Sequence, residues 1–168
     1  MNKPWILQNF LKELQYGFYI DVNPISDQES YTKILDLSYR WRGIIISKES
    51  ITIDRSDLCK FFIIDLDSNP SGFVNSVYET HPGSMLHYIR IRKVTNVFNL
   101  FNSIYNQDVE IPYSTKTIYP HLNIICLEIE TPLNDILLNQ LYDQFDLKFV
   151  CKNDNYNVFV NSVMSFLI

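Results

Sequence analysis

The chain has 168 residues, 46% of them hydrophobic and 20% charged, and a net charge of −5. That length fits one domain with one sizeable core, and the even spread of Ile, Leu, Val, Phe and Tyr excludes a disordered chain. Residues 1–106 carry eleven cations and eleven carboxylates, whereas 107–168 carry three lysines against eight carboxylates. An excess of acid with only the small basic cluster Arg90, Arg92 and Lys93 argues against nucleic-acid binding.

The first residues, Asn2-Lys3-Pro4-Trp5 and then Lys12-Glu13, interrupt any signal-peptide core. No apolar run approaches the roughly 18 residues that span a bilayer, so a soluble, cytoplasmic protein without a membrane partner is expected. Pro4, then Leu7, Phe10, Leu11 and Leu14 at helical spacing, with Gly17 as a stop, predict a helix over 3–16. Residues 18–22 follow as a short strand. Ser26-Asp27-Gln28-Glu29 has the form of a capping box and predicts a second helix over 27–39, with Tyr31, Ile34 and Leu35 on its buried side.

From Gly43 the period becomes two. Residues 44–47 and 51–53 around Lys48-Glu49-Ser50 read as a hairpin, and 60–65 as a strand buried on both faces at the sheet centre. Pro70, Gly72, Pro82 and Gly83 bracket a loop-rich segment with room for one short helix. Residues 85–92 alternate as a strand, and Val97, Phe98, Phe101, Ile104 and Tyr105 mark a helix. A strand follows over 123–129, then a helix over 132–146 with an apolar stripe of Leu133, Ile136, Leu137, Leu141 and Phe145. Residues 147–151 and 156–167 complete the chain, the last ambiguous between strand and helix. Residues 1–168 thus read as a single globular α+β domain, a mixed, mostly antiparallel sheet covered by three or four helices.

Cys59, Cys126 and Cys151 each sit in an apolar run, as reduced core cysteines do. No CxxC or HxxxH pair exists, and His81, His87 and His121 do not cluster with the thiols, so neither metal nor cofactor is expected.

Three constellations bear on function. Phe61-Phe62-Ile63-Ile64-Asp65-Leu66-Asp67 resembles the first motif of haloacid-dehalogenase-type phosphatases, which implies Asp65 as nucleophile and Asp67 as general acid/base. The alternative for both is ordinary turn chemistry after a strand. Arg42, the Tyr113-Ser114-Thr115 segment and Glu128-Ile129-Glu130 follow the Arg, Ser-Thr, Glu-x-Glu order of arginine-directed ADP-ribosyltransferases. That resemblance implies NAD held by Arg42 and Ser114, with Glu130 stabilising a ribosyl cation. The alternative places Glu128 and Glu130 on the solvent face of a half-buried strand.

The third constellation is an acidic strip on the 132–146 helix: Asp135, Asn139, Tyr142, Asp143 and Asp146. Asp143 and Asp146 fall in the last turn, where the helix dipole disfavours negative charge, so helix stability does not explain them. With Asp108, Glu110, Asp154 and Tyr156 as rim, the strip predicts a docking face for a basic protein; the alternative is a solvated face that serves solubility. In overall character the chain resembles the immunity proteins that bacteria make against secreted or contact-delivered toxins. The resemblance implies a binding protein without turnover that neutralises a basic toxin domain such as a nuclease, charge speeding its association and buried aromatics slowing release.

Overall fold

The computed structural model describes residues 14–26, 30–80, 85–106 and 122–163. They form an α+β fold on one mixed sheet of seven strands. The strands are β1 (Phe18–Val22), β2 (Arg42–Ser47), β3 (Cys59–Ile63), β4 (Met85–Ile91), β5 (Asn123–Ile129), β6 (Leu147–Asn153) and β7 (Tyr156–Asn161). Their order is β3-β2-β1-β4-β5-β7-β6. The described helices are α1 (Thr32–Leu37), α2 (Ser71–Thr80), α3 (Val97–Asn106) and α4 (Asp135–Phe145).

The mixed sheet and its helices match the sequence expectation, but the strand directions do not. The pairs β1–β2, β1–β4, β2–β3 and β4–β5 are parallel; only β5–β7 and β6–β7 are antiparallel. Ile44, Ile45 and Ile46 are all fully buried. A strand covered on both faces is apolar at every position, and that run belongs to a parallel sheet rather than to a hairpin arm. Residues 51–53, expected as the returning arm, form no strand. The 60–65 strand was expected at the centre; β3 instead lies at the sheet edge, with Ile63 59% exposed.

Other expectations are adjusted locally. The 3–16 helix lies almost wholly outside the described residues, as do three of the four capping-box positions. The second helix starts at Thr32; Tyr31 precedes it without a side-chain cap. Residues 71–80 form the helix for which the loop-rich segment had room. In α4 the Asn134 side-chain oxygen Oδ1 accepts the Leu137 N–H at 2.8 Å, so the start is capped three residues later than the pattern suggested. The ambiguous last segment is a strand through Asn161. The three cysteines are thiols, not disulfides.

Alternation along β1 divides the core. Phe18, Ile20 and Val22 join Val74 and Val77 of α2, Leu100 and Phe101 of α3, and Leu141 and Phe145 of α4 on one face. The Phe101 and Phe145 rings meet edge to face at 5.5 Å, a geometry that adds about 0.5–1.5 kcal/mol beyond burial. On the opposite face Tyr19 packs with Leu35 of α1, Trp41 and Tyr88. Gly43 is the register partner of Tyr19, and the phenol ring lies flat against it; a Cβ there would collide with the ring. Tyr19 is wholly buried and its hydroxyl donates to Asp36 at 2.7 Å, so it has nowhere to retreat. Gly43→Ala is therefore expected to lower stability by about 1–3 kcal/mol, as overpacking does, measured by urea unfolding. A midpoint equal to wild type would show that Tyr19 moves freely.

Candidate functional site

Strands β1 and β4 lie side by side, yet the chain leaves β1 for α1 on one face and β4 for α3 on the other. Such a switch opens a crevice beyond the carboxyl ends of the strands. Asn23, the residue after β1, holds this junction. Its backbone N–H donates to Ile46 O at 2.8 Å and its side-chain oxygen accepts the Lys48 N–H at 2.8 Å. On the other side its amide donates to Arg92 O at 3.0 Å, while its own carbonyl accepts the Arg92 Nε–H at 2.7 Å. Asn23 makes these bonds from the left-handed region, φ 51°, which Asn tolerates better than most residues.

Above the junction lies a crevice of about 380 Å³ lined by Asn23 to Ile25 after β1, Ser47 to Glu49 at the end of β2, Asp67, and Arg92, Lys93 and Thr95 after β4. A more apolar groove of about 430 Å³ shares Thr95 and runs between the starts of α3 and α4. A third, of about 470 Å³, shares Thr131 and Pro132 with the groove and reaches Lys152 and Asn157. The three adjoin through these shared residues along the carboxyl edge of the sheet and are together called the trough.

The first crevice is lined by three cations, Lys48, Arg92 and Lys93, and two acids, Glu49 and Asp67. Lys48 Nζ is 3.6 Å from Asp65, and Lys93 is exposed with φ 55°. Asp67, the second acid of the Asp-x-Asp motif, accepts the Thr95 and Asn96 amides at 2.9 and 2.8 Å at the start of α3. Partial burial raises its pKa, but these N–H bonds and Lys48 outweigh that and hold it below the usual carboxylate range. Asp67 thus anchors α3.

Beneath the trough runs a buried row of charge. Asp21, Arg90 and Glu128 are register partners on β1, β4 and β5. Asp21 accepts the hydroxyls of Ser30 and Thr32. The Arg90 guanidinium lies between the rings of Tyr31 and Tyr156, 4.7 and 4.1 Å from their centroids. Burial works against its charge, yet Tyr88, Tyr156, Asp21 and Glu128 together hold its pKa above the ordinary value. Glu128 is fully buried and accepts the Tyr88 hydroxyl at 2.8 Å; its other oxygen has no partner in hydrogen-bond geometry. Burial pushes the Glu128 carboxyl up, and the Tyr88 bond, Arg90 and the nearby Asn153 amide only partly oppose it.

The sequence-predicted sites come apart in this geometry. Arg42 opens β2 at the amino edge and donates to Thr80 O at 2.6 Å, whereas Glu130 follows β5 at the carboxyl edge; Ser114 lies outside the described residues. Glu128 is core rather than solvent face. Of the strip, Asp135, Asn139, Tyr142 and Asp143 are exposed, and so is Ile136 at 68%, which was expected in the apolar stripe. Asp146 is exposed as well, but it ends α4 in the left-handed conformation, its N–H bonded to Leu141 O and Tyr142 O, which is a backbone reason for an Asp there. Asp154, also exposed, turns the β6–β7 hairpin with φ 54° and accepts the Tyr31 hydroxyl at 3.3 Å. Tyr156 is not rim but buried on Arg90. Asp108 and Glu110 lie outside the described residues. Sequence reasoning gave Asn23 no role and met Lys48 at a hairpin tip and Lys93 in a small basic cluster, without bringing the three together, although an Asn-Pro after a strand was visible.

Among the described residues no helix is long and apolar enough to cross a membrane. No known protein family, curated protein or solved structure compared with the chain matches it.

The burial of Glu128 carries a pH signature. Its pKa stands higher in the folded chain than the ordinary value near 4.5, so its proton is held more tightly when folded. That contribution to stability is complete below about 4.5 and is lost as pH rises through the folded value. Asp67 acts oppositely, and only as pH falls through its lowered pKa below 3.8. Glu128→Gln keeps an acceptor for Tyr88 and removes the titration. Stability measured by urea unfolding from pH 4 upward should therefore decline less steeply in the variant; parallel curves would overturn the assignment.

Proposed function

We propose that the protein is a small-molecule-binding protein whose ligand carries negative charge and lies in the crevice over the β1–β4 switch. The observation that carries this reading is the gathering of Lys48, Arg92 and Lys93 around that crevice, at the edge where open sheets with parallel strands bind ligands. Its volume of about 380 Å³ falls within the range of ligand sites.

The means of recognition differs from that of dinucleotide folds. Those bring backbone onto a pyrophosphate through three glycines after the first strand and place an acid at the end of the second. Here the segment from Asn23 to Tyr31 holds no glycine, and β2 ends in Ser47. Charge recognition therefore falls to side chains, which suits a compact phosphate- or carboxylate-bearing molecule.

Titrating pyrophosphate into isotopically labelled protein tests this directly. Saturable amide shifts are expected at Lys48, Glu49, Lys93 and Thr95, weakened roughly tenfold or more by Lys48→Gln with Lys93→Asn, a pair chosen because both lysines are exposed and Asn tolerates positive φ. Shifts scattered over the surface, or equal affinity in the double variant, would sink the reading.

One observation favours a second reading, a basic protein partner on α4 of the kind a toxin-neutralising protein would bind. Tyr142 is 50% exposed among Asp135, Asn139 and Asp143, with the Lys148 ammonium 5.6 Å from its ring. Under that reading a basic protein co-purifies with the wild type at low salt. It is lost at higher salt and with Asp143→Lys, a change that suits the helix end and leaves folding intact. A partner retained by Asp143→Lys and by Tyr142→Ala alike would remove α4 from consideration.

A further inference from the structure

We propose that the trough takes an amphiphile, an anionic head in the cationic crevice and an apolar chain in the neighbouring groove between α3 and α4. The inference rests on the crevice reading and adds to it the chemical class of the ligand. Two observations bring it about. The groove, of about 430 Å³, is the more apolar of the two and adjoins the crevice at Thr95, which lines both, so a ligand that reaches past this one residue touches both. Phe98 and Ile136, on different helices, line this groove while staying 47% and 68% exposed.

Single exposed apolar side chains are normal on protein surfaces. Two that belong to one concave site, next to a cluster of Lys48, Arg92 and Lys93, are a different arrangement, because apolar surface and positive charge there select the same ligand from opposite ends. The start of α3 does not compete for the anion: its Thr95 and Asn96 amides are already taken by Asp67. Charge complementarity thus places the head at the lysines, and the chain extends past Thr95 toward Ile136. The wet exposure of an isoleucine is relieved when the chain covers it.

The test compares methyl phosphate, decyl phosphate below its micelle concentration, and decanol by calorimetry on the full chain. Decyl phosphate should bind at least tenfold more tightly than methyl phosphate. Ile136→Glu, at a site exposed enough to leave folding intact, should abolish the gain, and Phe98→Ser should reduce it. Lys48→Gln with Lys93→Asn should weaken both phosphates. Methyl phosphate binding without any gain from the chain overturns the amphiphile and leaves the anion crevice standing; binding of neither phosphate overturns both. Decanol binding as tightly as decyl phosphate, unaffected by the lysine variants, makes the groove independent of the crevice and refutes the proposal. So does a concentration-dependent dimer that Ile136→Glu dissolves, which would assign the groove to a second copy of the chain.

Discussion

The bond set of Asn23 is the constraint from which the candidate site follows. One residue, at the end of the interior strand β1, is bonded to the ends of both neighbouring strands, β2 through Ile46 and Lys48 and β4 through Arg92. It satisfies backbone groups that an opening sheet would otherwise leave exposed at the one place where the flanking connections diverge to opposite faces. Because Lys48, Arg92 and Lys93 immediately follow the strands that Asn23 clasps, their positions around the crevice are set by backbone hydrogen bonds rather than by side-chain packing. An aliphatic residue at this position would lose both side-chain bonds, and a β-branched one would also strain at φ 51°.

Below that junction the sheet departs from an all-apolar interior. Asp21, Arg90 and Glu128 place one cation between two acids, and the surplus acid is the one pushed toward its neutral form. Buried ionic groups are costly unless well bonded, and replacing such groups with apolar ones is often stabilising, so the row is not explained as a source of stability. What it does is tie separate parts of the chain to one place. Tyr31 comes from the approach to α1, Tyr156 from the β6–β7 hairpin, and both stack on Arg90 in the sheet centre. A linked polar chain from Asp21 through Thr32, Arg55, Tyr19 and Asp36 to the Ser56 amide fastens the irregular 51–58 segment to the same face.

Elements with strong local periodicity were legible from the residues alone. Helix α3 and strand β4 fall within a residue of their expected bounds, and α4 starts later only because Asn134 supplies the cap. The site was less legible. Glu128 and Glu130 alternate like a solvent-facing pair, yet Glu128 is buried, since this sheet is covered on the face where a simple alternating pattern predicts water. Tyr156 follows an Asp-Asn turn and reads as exposed; its burial depends on Arg90, far away in the chain. Asp146, an exposed carboxylate expected as a binding residue, also has a backbone reason for its place at the end of α4.

By itself the sequence determined most of where the chain turns helical or extended, and that charge is unevenly shared, because periodicity and composition act over a few residues. Tertiary structure decided which strands are neighbours and in which direction they run. An antiparallel hairpin announces itself through its turn, but a parallel pair is joined by a long crossover whose residues carry no trace of the register. β1 therefore becomes an interior strand, and β3 an edge strand, only when the connections between strands are packed. The crevice belongs to that second class: Asn23, Lys48 and Lys93 are ordinary polar residues until the switch between β1 and β4 brings them to one edge.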